Sequence, residues 1–268
     1  MKPLIIGYFS INKDNTFQDD ATSLKFIRSL EINSSQLLYL NVNGDIKNEI
    51  NKITFENSQN IINLLNPTFG LTNVKNFINI NKTTVEKASP SFVCTKTTLS
   101  QLFSSNNLKI TACLLSGVIY LMPHVTTEIK ISNASELGLI FQKFMQMQTV
   151  VDSERFQCVY KGTVGKHTIL YSSTMDGLYS KDKAIPQDIK DNKAKVVNLL
   201  KKAEIMDMHT LLDDAKKTEV RIQKLTEFAL QAFLTNVSKI IIGYRSLGEL
   251  YQVEQLNTTE VNTLIEKN

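Results

Sequence analysis

The chain has 268 residues, a net charge of +4 and a hydrophobic content of 42%, which fits one large domain or two small ones with a sizeable core. The mild positive charge permits a nucleic-acid partner, but no clustered basic tail demands one. Cys94, Cys113 and Cys158 are odd in number and lack CxxC spacing, which indicates neither a zinc site nor a disulfide framework, and no apolar run approaches a membrane span or a signal peptide. This usage points to a reducing compartment, the cytoplasm or nucleus.

In chain order, Leu4 to Phe9 reads as a strand and Asn12 to Asp20 as a polar link. Ala21 to Leu30 predicts a short helix with Leu24 and Ile27 inward. Leu37 to Val42 reads as a second strand, stopped by the turn signal Asn43-Gly44-Asp45. Asn51 to Asn66 has helical spacing at Ile53, Ile61, Leu64 and Leu65, with Pro67 as its end. Asn66 to Pro90 is polar and rich in Asn and Thr, and loops are expected there. Phe92 to Phe103 contains a predicted helix, with Leu99, Leu102 and Phe103 apolar, and Asn106-Asn107 turns the chain. Lys109 to Leu115 and Val118 to Met122 read as a hairpin around Ser116-Gly117. Ser135 to Gln148 predicts a helix with Leu137, Ile140, Phe141, Phe144 and Met147 on its apolar face and Ser135 as N-cap.

A second hairpin follows, Arg155 to Tyr160 and Thr168 to Tyr171 about a turn at Gly162 to Gly165. Lys181 to Lys193, with Pro186, reads as a loop, Lys195 to Leu200 as a short strand, and Met206 to Lys216 as an irregular or helical connector. Arg221 to Arg245 carries the strongest pattern in the chain. Ile222, Leu225, Ala229, Ala232 and Phe233 make the apolar stripe of a long helix. Ile240 to Ile242 form a β-branched run suited to a strand buried on both faces. Glu249 to Gln255 alternates as its partner strand, and Thr258 to Lys267 predicts a terminal helix capped by Thr258. There are no repeats and no linker. The expected fold is a single α+β domain over residues 1–268, with mixed β-sheets flanked by helices.

Chemical motifs are sparse. There is no phosphate-binding Gly loop and no GxSxG. His124, His167 and His209 are scattered and read as ordinary surface or loop residues. Asp19-Asp20 and Asp213-Asp214 read as solvated helix-end charges.

Several segments, taken in order, nevertheless resemble the DXO-type family of RNA decapping enzymes and 5′–3′ exoribonucleases. IIGYFSINKDNTFQDDATSLKFI, from Ile5 to Ile27, is similar to the family's GSFS…DD…LKY stretch. SFVCTKTTLSQL, from Ser91 to Leu102, resembles DFVTWRGHLTKL. SGVIYLM, from Ser116, resembles KGTIYM, and IFQKFMQ, from Ile140, sits where the family has GYKFEQ. HTILYSSTMDG, from His167, resembles HSLLYSGEVDC. The long helix and the strand after it resemble KLLKWWAQSFLxGVPKIVVGFR.

The resemblance implies an active site in which several carboxylates hold divalent metal ions that activate water. At those positions the chain departs from the family. The Arg of TWRG falls on Lys96 and the Glu of GYKFE on Met145. The Glu of ExD falls on Thr174, while its Asp is retained as Asp176. The ELK motif falls near Asn198-Leu199-Leu200-Lys201, so its Glu becomes Asn198 or Leu199 and Lys201 survives. The Gln of WAQSFL is retained as Gln231. One Asp cannot hold a two-metal cluster, and a Met thioether is the wrong donor for Mg²⁺ or Mn²⁺. The resemblance therefore implies a degenerate, catalytically inactive member with no metal and no cofactor. Its expected role is to bind RNA or a ribonucleoprotein, the ribosome included, with Lys96, Lys201 and Gln231 as the RNA-contact set. A 5′–3′ exoribonuclease as protein partner and a residual RNA 5′-end hydrolase are the alternatives.

Overall fold

The structure is a computed structural model that describes residues 3–27, 52–55, 61, 67–104, 108–124, 133–148, 150–179, 189, 192–212, 218–246 and 249–266. Its larger layer is a seven-stranded sheet. The strands are β1 (Leu4–Ile11), β2 (Phe17–Gln18), β4 (Phe92–Thr95), β5 (Ile110–Leu115), β6 (Val118–Pro123), β8 (Arg155–Val164) and β9 (His167–Thr174), in the order β2-β1-β8-β9-β4-β6-β5. A second sheet has the order β10-β11-β12-β13, from β10 (Gly177–Tyr179), β11 (Glu204–Leu212), β12 (Lys239–Ser246) and β13 (Glu249–Asn257). β3 (Thr54–Phe55) and β7 (Val150–Val151) form a short parallel pair. The helices are α1 (Pro67–Ile80), α2 (Lys82–Ala88), α3 (Lys96–Ser104), α4 (Asn133–Met145), α5 (Lys193–Lys202), α6 (Thr218–Thr235) and α7 (Thr258–Glu266). This is the expected α+β architecture.

The long helix and the β-branched strand organise the second sheet as anticipated. β12 lies inside it, parallel to β11 and antiparallel to β13. Ile240 and Ile242 face the main core with Leu225, Phe228 and Ala232 of α6. Ile241 faces the other way, into a cluster with Phe141, Phe144 and Met145 of α4. Gly243 lets α4 come close, because a Cβ there would meet Leu250 Cδ1 at 2.6 Å and Phe141 Cζ at 3.2 Å. Phe233 departs from the predicted stripe and is exposed.

The two hairpins are present, but the second turns at Gly165-Lys166, and Gly162, expected in the turn, pairs with Ile169 inside the ladder. Other segments differ. Residues 21–27 are irregular rather than helical: the chain pairs along β10, with Ile27 N–H donating to Leu178 and Leu178 N–H to Lys25. Leu24 and Ile27 are buried as predicted. The loops expected over Asn66 to Pro90 are the helices α1 and α2. Pro67 opens α1 instead of ending a helix, as a fixed φ suits a first turn, and Val74 and Phe77 are fully buried among the Asn and Thr residues. The helix expected within Phe92 to Phe103 is α3, preceded by strand β4, and Thr54–Phe55 is a strand. Ser135 lies inside α4, not at its cap, and Met147 is exposed beyond its end.

The strand read at Lys195 to Leu200 is helix α5. The Asn192 side chain accepts from Lys195 N–H as the N-cap, and Val196 and Leu200, one turn apart, are buried. The connector read from Met206 is the interior strand β11. Asn257 caps α7 in place of Thr258: its N–H donates to Glu260 Oε2 at 2.8 Å, the reach-back arm of a capping box. The expectations for Leu37 to Val42, Asn43 to Asp45, Leu64, Leu65, Asn106-Asn107, Asp213-Asp214 and most of Lys181 to Lys193 lie outside the described residues.

Candidate functional site

Where the chain passes from one sheet to the other, it places two carboxyl groups together. Asp176 occupies the short link between β9 and β10, and Asp207 sits in the middle of β11. Both are buried, at 8% and 6% exposure. Asp176 Oδ2 accepts from Met208 N–H at 2.8 Å. The two carboxyls lie close enough to perturb one another. Burial and then the Asp207 charge push Asp176 well above the usual carboxylate range. Burial pushes Asp207 in the same direction, but Lys96 and then His209 outweigh it and hold Asp207 low. Lys96 Nζ is 3.8 Å and His209 Nε2 3.2 Å from Asp207 Oδ2. The environment therefore favours the charge on Asp207 over Asp176, and a lysine faces Asp207.

Each partner is set by its element. Lys96 is the first residue of α3, at the end of β4. His209 follows Asp207 by two residues and so shares its face of β11. Its ring stacks on Phe228 of α6, with centroids 3.8 Å apart and planes 7° from parallel. Met145, the last residue of α4, is fully buried among Phe141, Met206, Met208 and Ile241. Gln146 Nε2 donates to the backbone carbonyl of Asp176. Thr174 ends β9, and its hydroxyl accepts from Gln157 Nε2 at 2.6 Å.

Two small cavities flank the pair. One, of about 200 Å³, is lined by Thr174, Asp176, Arg155, Gln157, Gln142 and Asn73 among others. Arg155 Nη1 is tied there to the carbonyls of Asp152 and Glu154, at 3.0 and 2.7 Å. Behind it, Lys143 and Asp152 form a buried ion pair at 2.7 Å. Burial, and secondarily Arg155, lower the Lys143 pKa to about 8. The other cavity, of about 240 Å³, lies between α3 and α6 and is lined by Lys96, Thr97, Ser100, Gln101, Glu227 and Gln231.

Of the residues singled out from sequence, Lys96, Met145, Thr174 and Asp176 fall in this neighbourhood, and Gln231 shares a cavity with Lys96. Asn198 and Lys201 do not join them. Both are exposed on α5, which packs on β1. Asp207 escaped the sequence reading, and His209, read there as an ordinary surface or loop residue, is instead a largely buried residue of an interior strand, stacked on Phe228. Their signal is an acid and a histidine two apart inside an apolar run of strand length, Glu204–Leu212.

The donor set does not fit the divalent metal that the resemblance implies. Asp176 and Asp207 offer two carboxyls, an ammonium stands 3.8 Å from one of them, and the Met145 thioether fills the third position. A hard cation needs several charged oxygen donors. Among the described residues no three His, Cys, Asp or Glu side chains converge as a metal cluster.

A family model described as "RAI1 like PD-(D/E)XK nuclease" matches residues 1–268. No curated protein sequence matches the chain. The fold is similar to S. pombe Rai1 in complex with 3′-FADP, at 16% identity and a TM-score of 0.64, covering 100% of this chain and 78% of that one. It is similar to Scheffersomyces stipitis Rai1 in complex with (3′-NADP)⁺ and calcium, at 15% identity and 0.68, covering 100% and 76%. It is also similar to Candida albicans Rai1 in complex with pU5 and Mn²⁺, at 13% identity and 0.68, covering 100% and 74%.

Proposed function

Since the chain belongs to the RAI1-like PD-(D/E)XK nuclease family yet sets a thioether and a lysine beside its carboxyl pair, we propose that it is a catalytically inactive member that binds RNA or a ribonucleoprotein, the ribosome included. The family signature is one acid followed by (D/E)-x-K. We assign the first acid to Asp176 and the second motif to Asp207-Met208-His209, with His in place of Lys. This replaces the placement on Asn198, Leu199 and Lys201, because the neighbouring strand is β11 and residues 193–202 are a helix.

The observation that carries the reading is the Lys96–Asp207–Asp176 arrangement beside buried Met145. Lys96 stands 3.8 Å from Asp207, and the buried Met145 thioether leaves no third carboxylate at these positions. We derive no hydrolytic step from this set.

The binding partner follows from the relatives and from what lines the site. Candida albicans Rai1 has been crystallised with pU5. In this chain Lys96 and Gln231 line an open polar cavity, and Lys96 offers a phosphate a point charge in place of a planar fork. Lys201 leaves the RNA-contact set because it lies on α5. Among the described residues no helix is long and apolar enough to cross a membrane, and we place the protein in the cytoplasm or nucleus.

One observation favours a residual hydrolase: two acids of the signature survive. An assay separates the readings. The protein is incubated with 5′-phosphorylated, triphosphorylated and capped RNAs and Mg²⁺ or Mn²⁺, beside Asp176→Ala and Asp207→Ala. We expect no product from any of them, and RNA retention that weakens with salt. Product from the parent chain that disappears in Asp207→Ala would overturn the proposal. Affinity capture from native extract with and without nuclease divides the partners: recovery that survives nuclease would favour a protein such as a 5′–3′ exoribonuclease.

A further inference from the structure

β5 ends one side of the seven-stranded sheet, and among the described residues no strand pairs with its outer edge. It is joined to β6 by a two-residue turn, Ser116 and Gly117, both with positive φ (50° and 80°). In such a hairpin the residues flanking the turn, Leu115 and Val118, exchange both hydrogen bonds, and bonded pairs then alternate along the ladder. Leu115, Cys113 and Thr111 therefore bond inward to β6. Ile110, Ala112 and Leu114 aim their N–H and C=O groups at the open edge.

Sheet edges are normally guarded by brevity, charge or proline. The other edges here follow that rule. β2 has two residues and β10 three, and β13 carries Glu254. β5 has neither a charge nor a proline over six residues. Thr111 to Leu115 are all exposed, with Leu114 at 71% and Leu115 at 44%. An open, neutral, apolar edge of this length is a template for another strand.

We propose that β5 pairs antiparallel with β5 of a second copy, about a two-fold axis through Ala112, and so joins two seven-stranded sheets. Composition favours a copy as the occupant. A charge near a two-fold axis meets its own like, and this strand has none. The ladder also fixes the register, because outward residues must face outward residues. Ala112 then faces Ala112 of the second copy, with the small side chain at the axis, and Ile110 faces Leu114. Thr111 faces Cys113 in the closer, non-hydrogen-bonded pairs. A one-residue slip sets outward against inward groups and loses the bonds. A two-residue slip brings Ile110 against Ser116, which is no longer extended.

The register gives a direct test in the full chain. Thr111→Cys sets a thiol opposite Cys113 of the second copy at a Cα separation of about 4.5 Å, within disulfide range. The native Cys113 pair stands diagonally about 8 Å apart and is too distant. Under mild oxidation Thr111→Cys should give a linked dimer, the parent should not, and adding Cys113→Ser should abolish the link. Sedimentation should show a dimer whose fraction rises with concentration. Leu114→Lys should eliminate it, and so should Ala112→Pro, which removes an outward N–H and spares the bonds to β6. Unchanged circular dichroism identifies variants that have kept their fold. A monomer at every concentration, no link in Thr111→Cys, or a link that survives Cys113→Ser would overturn the proposal.

Discussion

A buried carboxyl pair holds one negative charge far more readily than two, and here the environment decides which partner carries it. Asp207 faces Lys96 at 3.8 Å and His209 at 3.2 Å, whereas at Asp176 burial and Asp207 outweigh Lys96 and the Met208 N–H. The two acids should therefore respond differently to neutralisation. Asp207→Asn leaves half-buried Lys96 without its counter-charge and should cost about 2 kcal/mol. Asp176→Asn resembles the protonated acid, keeps an oxygen for Met208 N–H, and should cost about 1 kcal/mol or less. The sign with pH follows from the raised Asp176 pKa. Above the usual carboxylate range the unfolded chain releases this proton while the folded chain keeps it. Its contribution to stability is therefore lost as pH rises toward the folded pKa. Urea unfolding at about pH 5 and pH 8 should show that fall in the parent and a flatter response in Asp176→Asn. Equal costs for the two variants would contradict the asymmetry. Asp176 was legible because it stands in a quotable motif. Asp207 was not, since only the pairing of β11 with β10 and β12 brings it to Asp176.

Elements were legible where composition and tertiary setting agree. Ile240 to Ile242 announce a buried strand, and both faces of β12 are covered, by α6 on one side and α4 on the other. Removing the side chain that meets α4 tests this packing: Ile241→Ala should cost about 3 kcal/mol with an unchanged m-value. Gly243→Ala adds a methyl to the same face, where Leu250 and Phe141 leave no room, and should cost about 1–3 kcal/mol. A neutral result for both in chemical denaturation would mean that α4 does not pack on β12. Elements were misread where polar composition hides spacing. α1 and α2 carry the buried Val74, Phe77, Val85 and Ala88 among Asn, Lys and Thr, with Leu71 and Ile78 packed beside them. α5 and β11 exchanged their readings for a related reason. Val196 and Val197 suggest a strand, but Asn192 caps a helix there. Asp207 and His209 interrupt what is otherwise a strand signature.

At the scale of the molecule, the decisive feature is that the two sheets share one core. Tyr160 and Tyr171 of the first sheet stack at 5.5 Å and lie in the same buried cluster as Ile240, Ile242 and Tyr244 of the second. The Tyr171 hydroxyl reaches the carbonyl of Leu234 at the end of α6, 63 residues away in sequence. Asp176 and Asp207 span the same junction, so the site exists only when both sheets are in place. We therefore expect residues 1–268 to behave as one cooperative unit, as the lack of any linker in the sequence suggests. Far-ultraviolet circular dichroism and tyrosine fluorescence should report the same urea midpoint. Tyr171→Phe leaves the Leu234 carbonyl buried and unpaired. It should shift both midpoints down together, by about 1–2 kcal/mol in stability. Two separated transitions, or a shift seen by one probe alone, would show that the sheets fold independently. The site would then lie between two bodies and not within one.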